Sequence, residues 1–174
     1  MARNRVPFDV SRLTKKVTNC FICELLAGNP RYEHLVVAET DTVVAFLNRF
    51  PTLFGYVLVA PKEHREQVTG DFDEEEYVEL QRFIFRISEA MRQLLAPERI
   101  YILSLGSQAA NSHVHWHIAP LPEGIPLEQQ QYHALMHENG VVETTPEEMA
   151  QFAEELRSAI EKAAPGVRTS AKLR

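Results

Sequence analysis

Apolar residues along this chain follow two rhythms. Short apolar runs at Leu35–Glu39, Thr42–Leu47 and Tyr56–Ala60 read as strands, the first two joined into a hairpin by Thr40-Asp41 and the third closed by Pro61. The stretch from Asp73 to Ala96 has the other rhythm: Tyr77, Leu80, Ile84, Ile87, Met91 and Leu94 or Leu95 recur at three- and four-residue steps, which predicts an amphipathic helix. Glu74, Glu75 and Glu76 sit in its first turn, where the helix dipole favours acids, and Pro97 ends it. Ile100–Leu105 and His113–Ala119 predict two more strands around a Gly/Ser/Ala/Asn link. A second helix opens at Thr145-Pro146-Glu147-Glu148, which combines an N-cap Thr, Pro at the first helical position and a capping-box Glu. Its apolar face is Met149, Phe152, Leu156 and Ile160, and it stops at Pro165-Gly166. Glu128, Gln129, Gln130 and Gln131 fit either a short helix or a loop. About five strands joined mostly by short turns, with the helices segregated from them, predict the α+β class with an antiparallel sheet.

Composition narrows the class. At 174 residues, 45% hydrophobic and 24% charged, the chain has the size and balance of one globular domain. Its longest apolar runs fall far short of the roughly 20 residues that span a bilayer, so no membrane partner is expected. The basic residues near the start are followed by no continuous apolar run, so no secretory signal is expected and a cytoplasmic location follows. A net charge of −6 argues against a stable nucleic-acid partner, because such proteins meet phosphate with a positive field. Basic side chains gather at the two ends, Arg3, Arg5, Arg12, Lys15 and Lys16 at one and Arg168, Lys172 and Arg174 at the other, and read as solvated tails.

Two features carry chemistry. Cys20 and Cys23 are the only cysteines, spaced so that two thiolates can share one Zn²⁺, which would need two further ligands from elsewhere. A redox role is the competing reading, but such motifs sit near a βαβ pattern that this chain lacks. The second feature is His113, His115 and His117, at alternate positions of one apolar run. Alternation along a strand sends all three imidazoles to one face and Val114, Trp116 and Ile118 to the other. An imidazole row suits metal coordination, nucleophilic attack or proton transfer near neutral pH. His64, which follows Pro61-Lys62-Glu63 at a strand end, could reach the same site.

From Cys20 to Pro120 the chain resembles the histidine-triad (HIT) family of nucleotide hydrolases and transferases. The resemblance rests on an ordered set: Cys20-x-x-Cys23, Ala45-Phe46-Leu47-Asn48-Arg49-x-Pro51, Gly55-x-Val57-Leu58-Val59-x-Pro61-Lys62-x-His64, and the histidine run followed by Pro120. It implies a HIT-like sheet of about five strands with a long central helix and a C-terminal helix. It divides the chain into a basic segment over 1–19, a HIT domain over 20–121 and an extension over 122–174 whose helix packs on the same domain. It also implies that His115, the middle triad position, attacks the α-phosphorus of a nucleotide, and that His117 contacts phosphate. His113 falls where zinc-bearing relatives place a metal ligand, which implies a structural Zn²⁺ on Cys20, Cys23, His64 and His113. The Asn-Arg-x-Pro motif looks most like the dinucleoside polyphosphate hydrolase branch and makes Asn48 a contact to the nucleotide ribose. Family members commonly form homodimers, so a homodimer is expected.

The chain also departs from the family pattern. Ala109 stands where relatives carry a phosphate-binding glutamine, so Gln108 or Asn111 would substitute and Ser112 could donate to phosphate. Tyr56 stands where a histidine is common, and Leu121 where an arginine is. The expected activity is hydrolysis of a nucleoside phosphoanhydride, such as diadenosine tetraphosphate, through a nucleotidyl-histidine. The alternatives are transfer to inorganic phosphate, metal-dependent hydrolysis with all three histidines on one ion, and a nucleotide-binding module without turnover.

Overall fold

A computed structural model describes residues 3–11, 20–107, 111–163 and 169. The chain enters through a two-residue strand, β1 (Arg5–Val6), and a short helix, α1 (Phe21–Leu26), whose N-cap is Cys20: its sulfur accepts the Cys23 N–H at 3.3 Å. Strands β2 (Val36–Glu39), β3 (Val43–Leu47) and β4 (Val57–Pro61) follow, then the long helix α2 (Glu74–Leu95) and strands β5 (Arg99–Ser104) and β6 (Trp116–Leu121). These five strands make one antiparallel sheet in the order β2-β3-β4-β6-β5. The α+β class is therefore as the sequence predicts.

Both faces of the sheet are covered, which is why β2, β3 and β4 read as unbroken apolar runs and not as alternation. On one face Val37, Ala45, Val59, Trp116 and Ile118 pack beneath Leu80, Ile84, Ile87 and Met91 of α2. The other face carries Val36, Phe46, Leu58, Ala119 and Leu121 against Ile22 and Leu25 of α1. Helix α2 begins with a complete capping box: Asp73 accepts the Glu76 N–H at 2.8 Å and Glu76 accepts the Asp73 N–H at 3.1 Å. It ends at Ala96 in the left-handed conformation, with Pro97 next.

Beyond the sheet, Leu127–Gln129 forms a 3₁₀ turn and Tyr132–Leu135 the short helix α3. Strand β7 (Val141–Val142) pairs antiparallel with β1, a pairing too short for any periodicity to announce. The last helix, α4 (Pro146–Ala163), has Thr145 as its cap, accepting the Glu148 N–H at 3.1 Å. The Glu148 carboxylate does not close the expected box and instead pairs with Arg3. Phe152, Leu156 and Ile160 join the α2 face of the core, and buried Arg157 donates twice to the Val36 carbonyl, at 3.0 and 2.7 Å. No described helix is long and apolar enough to cross a membrane.

One predicted strand is displaced. The histidine run was expected to lie in a strand over His113–Ala119, but β6 starts only at Trp116 and runs to Leu121. The neighbouring ladders stop there: β4 reaches Trp116 from Val59, and β5 reaches it from Ser104. The Val114 N–H turns away to the Arg65 carbonyl at 2.6 Å. His113 and His115 therefore precede the strand, and only His117 lies in it.

Candidate active site

Losing the ladder does not lose the alternation. Val114 and Trp116 are in the core under α2, while His113, His115 and His117 lie on the α1 face. His113 is 1% exposed and His115 3%.

The first imidazole belongs to a four-residue cluster. Ligating atoms of Cys20, Cys23, His64 and His113 all lie within 4.8 Å of one another. His113 Nδ1 is 3.2 Å from Cys20 Sγ and 3.6 Å from Cys23 Sγ, and His64 Nδ1 is 3.3 Å from Cys23 Sγ. Zinc bonds of 2.3 Å to sulfur and 2.0–2.1 Å to nitrogen give a tetrahedral S···N edge of about 3.6 Å, so the cluster has the size of such a site. Ring orientation fits as well. His113 Nε2 donates to the Pro61 carbonyl at 2.9 Å and His64 Nε2 to Glu66 at 3.2 Å, which leaves both Nδ1 lone pairs facing the sulfurs. Burial, together with Cys20 beside it, pushes the Cys23 thiol up to about 12. A second thiolate here thus calls for a cation to hold it.

The second imidazole is held differently. His115 Nδ1 donates to the His113 carbonyl at 2.8 Å, and Ser104 Oγ clasps the His115 carbonyl at 2.8 Å. With Nδ1 carrying the proton, the Nε2 lone pair is left without a hydrogen-bond partner among the described residues. Burial lowers the His115 pKa, so the ring is neutral at pH 7. His117 stacks on it with centroids 4.7 Å apart, and burial first, then His115, lowers its pKa to about 3. Tyr56 Oη lies 3.1 Å from His117 Nδ1. Burial raises the Tyr56 pKa, so the phenol is neutral at pH 7 and able to donate to that nitrogen.

Aromatic side chains surround this pair. Phe21 meets His115 edge-on at 6.0 Å and neighbours His34 and Phe46, which themselves lie 5.0 Å apart. His34 donates to the Tyr32 carbonyl at 2.5 Å, and burial lowers its pKa to about 4. Neither Phe21 nor His34 is singled out by the sequence, because one apolar and one isolated histidine position carry no period. Ser104 was equally silent, and Tyr56 was visible only as a departure from the family pattern.

The expected substrate contacts are dispersed. Asn48, half-buried at the end of β3, accepts the Phe50 N–H on Oδ1 at 2.9 Å, leaving its amide NH₂ to donate. Asn111 and Ser112 line a separate 270 Å³ hollow with Gln67, Val68 and Val114, and neither hydrogen-bonds to the triad. Asn111 has a positive φ of 58°. Gln108 lies outside the described residues.

A two-faced antiparallel sheet with three alternating imidazoles at the head of an inner strand defines the histidine-triad class of proteins. The chain belongs to the HIT domain family, which it matches over residues 29–124 and whose members are nucleotide hydrolases and transferases. It is 34% identical over 104 residues to an uncharacterized HIT-like protein of Saccharolobus solfataricus, spanning 58% of this chain and 73% of that one. It is 27% identical over 148 residues to the adenosine 5'-monophosphoramidase hnt1 of Schizosaccharomyces pombe, spanning 82% of this chain and 98% of the relative. Its fold matches the crystal structure of a hypothetical histidine triad nucleotide-binding protein from Sulfolobus tokodaii with a TM-score of 0.66 at 24% identity, over 82% of this chain and 93% of that one.

Proposed function

We propose that the protein hydrolyses nucleoside phosphoanhydrides through a nucleotidyl-histidine at His115, with dinucleoside polyphosphates such as diadenosine tetraphosphate as substrates. The observation that carries this is the His115 Nδ1 bond to the His113 carbonyl, which leaves the opposite nitrogen's lone pair free of any hydrogen bond among the described residues. In the first step that lone pair attacks the α-phosphorus, a P–N bond forms, and the bridging P–O bond breaks with its electron pair passing to the departing polyphosphate. In the second step water attacks phosphorus, the P–N bond breaks, and Nε2 recovers its lone pair. His117, whose ring also meets the Leu105 carbonyl, supports the phosphoryl oxygens from beside His115, where one such donor is worth a few kcal/mol. Phe21 and His34, backed by the buried Phe46, offer the wall against which a purine packs, and Asn48 donates to the ribose. Asn111 and Ser112, which line the hollow beside Ser104, take the leaving group.

A structural Zn²⁺ fits the Cys20, Cys23, His64 and His113 set, and four protein ligands leave no position for a reacting water. That set holds neither His115 nor His117, which speaks for nucleophilic rather than metal-dependent hydrolysis. Paired free thiols of this kind suit a reducing, cytoplasmic setting. Strand β5 is a sheet edge flanked by exposed Ile102, Leu105 and Phe85, and we assign this edge to a two-fold homodimer.

The test is turnover of diadenosine tetraphosphate in ¹⁸O-water, with intact-mass detection of the protein. Label in the AMP product and an adenylate adduct that disappears in His115→Ala support the reading. ADP formed from added phosphate assigns the acceptor to phosphate instead, and unchanged turnover in His115→Ala overturns the proposal. Adenosine 5'-phosphoramidate belongs in the same assay, because the hnt1 relative is named for that activity.

A further inference from the structure

A second cavity lies away from the triad, at the far end of β6. It holds about 570 Å³, within the range of small-molecule sites, and none of the three triad histidines lines it. Pro120 in its wall is three residues beyond His117, about 10 Å along the strand. Residues inside the family match, Thr52, Phe54 and Pro120, form one side. Residues outside it, Arg3, Arg5 and His133, form the other. The β1–β7 pairing, anchored by the Val142 N–H to the Pro51 carbonyl at 2.8 Å, brings the two sides together.

The chemistry of this wall is one-sided. Arg5 is half-buried and its single described bond is to the Ala134 carbonyl at 2.7 Å, with no carboxylate paired to it among the described residues. A guanidinium removed from water without a counter-charge is costly, and a bound anion would supply that charge. No Asp or Glu is among the described residues lining the cavity. Glu148 stands at the rim, where it pairs with Arg3. The Arg3 guanidinium lies over the Phe54 ring, 3.6 Å from its centroid, beside an apolar floor of prolines. Thr52 is fully buried in the wall, and its hydroxyl has no hydrogen-bond partner among the described residues. Natural interiors rarely leave such a group unsatisfied.

We infer that this cavity binds a phosphorylated small molecule of mononucleotide size, its phosphate on Arg5 and Thr52 and its apolar body against the proline-lined floor. The site is separate from the triad and does not depend on the reaction assigned there.

Full-length protein with ¹⁵N label tests this by NMR titration with AMP, phenyl phosphate and adenosine, read at the Arg5 Nε–H and the Thr52 amide rather than at the triad. Both phosphates should shift these signals saturably, and adenosine should not. Arg5→Gln should raise the Kd read at Thr52 about ten-fold. Thr52→Val should raise the Kd read at the Arg5 Nε–H several-fold without lowering the melting temperature, since the hydroxyl it removes has no partner among the described residues. Silence of both signals at millimolar phosphate ligand, an equal response to adenosine, or an unchanged Kd in every variant that folds would overturn the inference.

Discussion

The atoms that make this site work are single carbonyls and hydroxyls that hold its ring nitrogens. His115 is set by the His113 carbonyl, and His117 meets the Tyr56 hydroxyl. Tyr56→Phe removes the second contact and nothing else of size. Turnover is expected to fall about ten-fold with KM little changed, the signature of a donor that acts in the transition state. A steady-state comparison with wild type checks this. His34 controls pH behaviour of a different kind. Burial first, and Arg49 after it, take its pKa from 6.5 down to about 4 in the fold. Between those values the unfolded chain binds the proton and the folded chain does not, so stability is full above pH 6.5 and is lost as pH falls towards 4. The interval corresponds to about 3 kcal/mol at the most. Denaturant melts of wild type against His34→Phe should show the variant losing less stability from pH 6.5 to 4, and parallel curves would refute the assignment.

Elements are joined at points where only one residue type fits. Gly55 precedes β4 with φ 81°, and a Cβ there would lie 2.8 Å from Leu95 and 3.0 Å from Phe152. Both the backbone and the packing of α2 and α4 oppose a side chain. Gly55→Ala should therefore cost about 2–3 kcal/mol by chemical denaturation, where an exposed glycine in an ordinary conformation would gain slightly. The helix ends were readable because capping is local: Thr145 caps and Pro97 stops as expected, while Asp73, read as the first helical residue, turns out to be the cap. The start of β6 was not readable, because apolar alternation continues through Val114 while the partners that would pair with it have already ended.

At the scale of the whole molecule, two proposals invite direct measurement. If Zn²⁺ braces α1 to the head of β6, purified protein should carry about one zinc per chain by mass spectrometry. Stripping it under denaturing chelation, or Cys23→Ser, should lower Tm by about 10 °C. Retained stability without metal would refute a structural ion. For the homodimer, Phe85 is 65% exposed on α2 beside the β5 edge. Phe85→Asp combined with Ile102→Lys should convert a dimeric sedimentation profile to a monomeric one, and an unchanged profile would remove this edge from the interface.

The amino-acid order alone fixed what depends on near neighbours: the runs of β2 to β5, both long helices with the Thr145 cap, and the alternation that sets three imidazoles against Val114, Trp116 and Ile118. The same order, through its resemblance to a family, also named the four residues that gather as a cluster. Tertiary structure decided what depends on distant partners. It placed His64 and His113 against the Cys pair, gave His117 a tyrosine, packed Phe21 between His115 and His34, and closed a cleft around Arg5 and Thr52. The division is physical: periodicity and capping act within a few residues, whereas proton placement and cavity walls arise only where chain segments far apart in sequence meet.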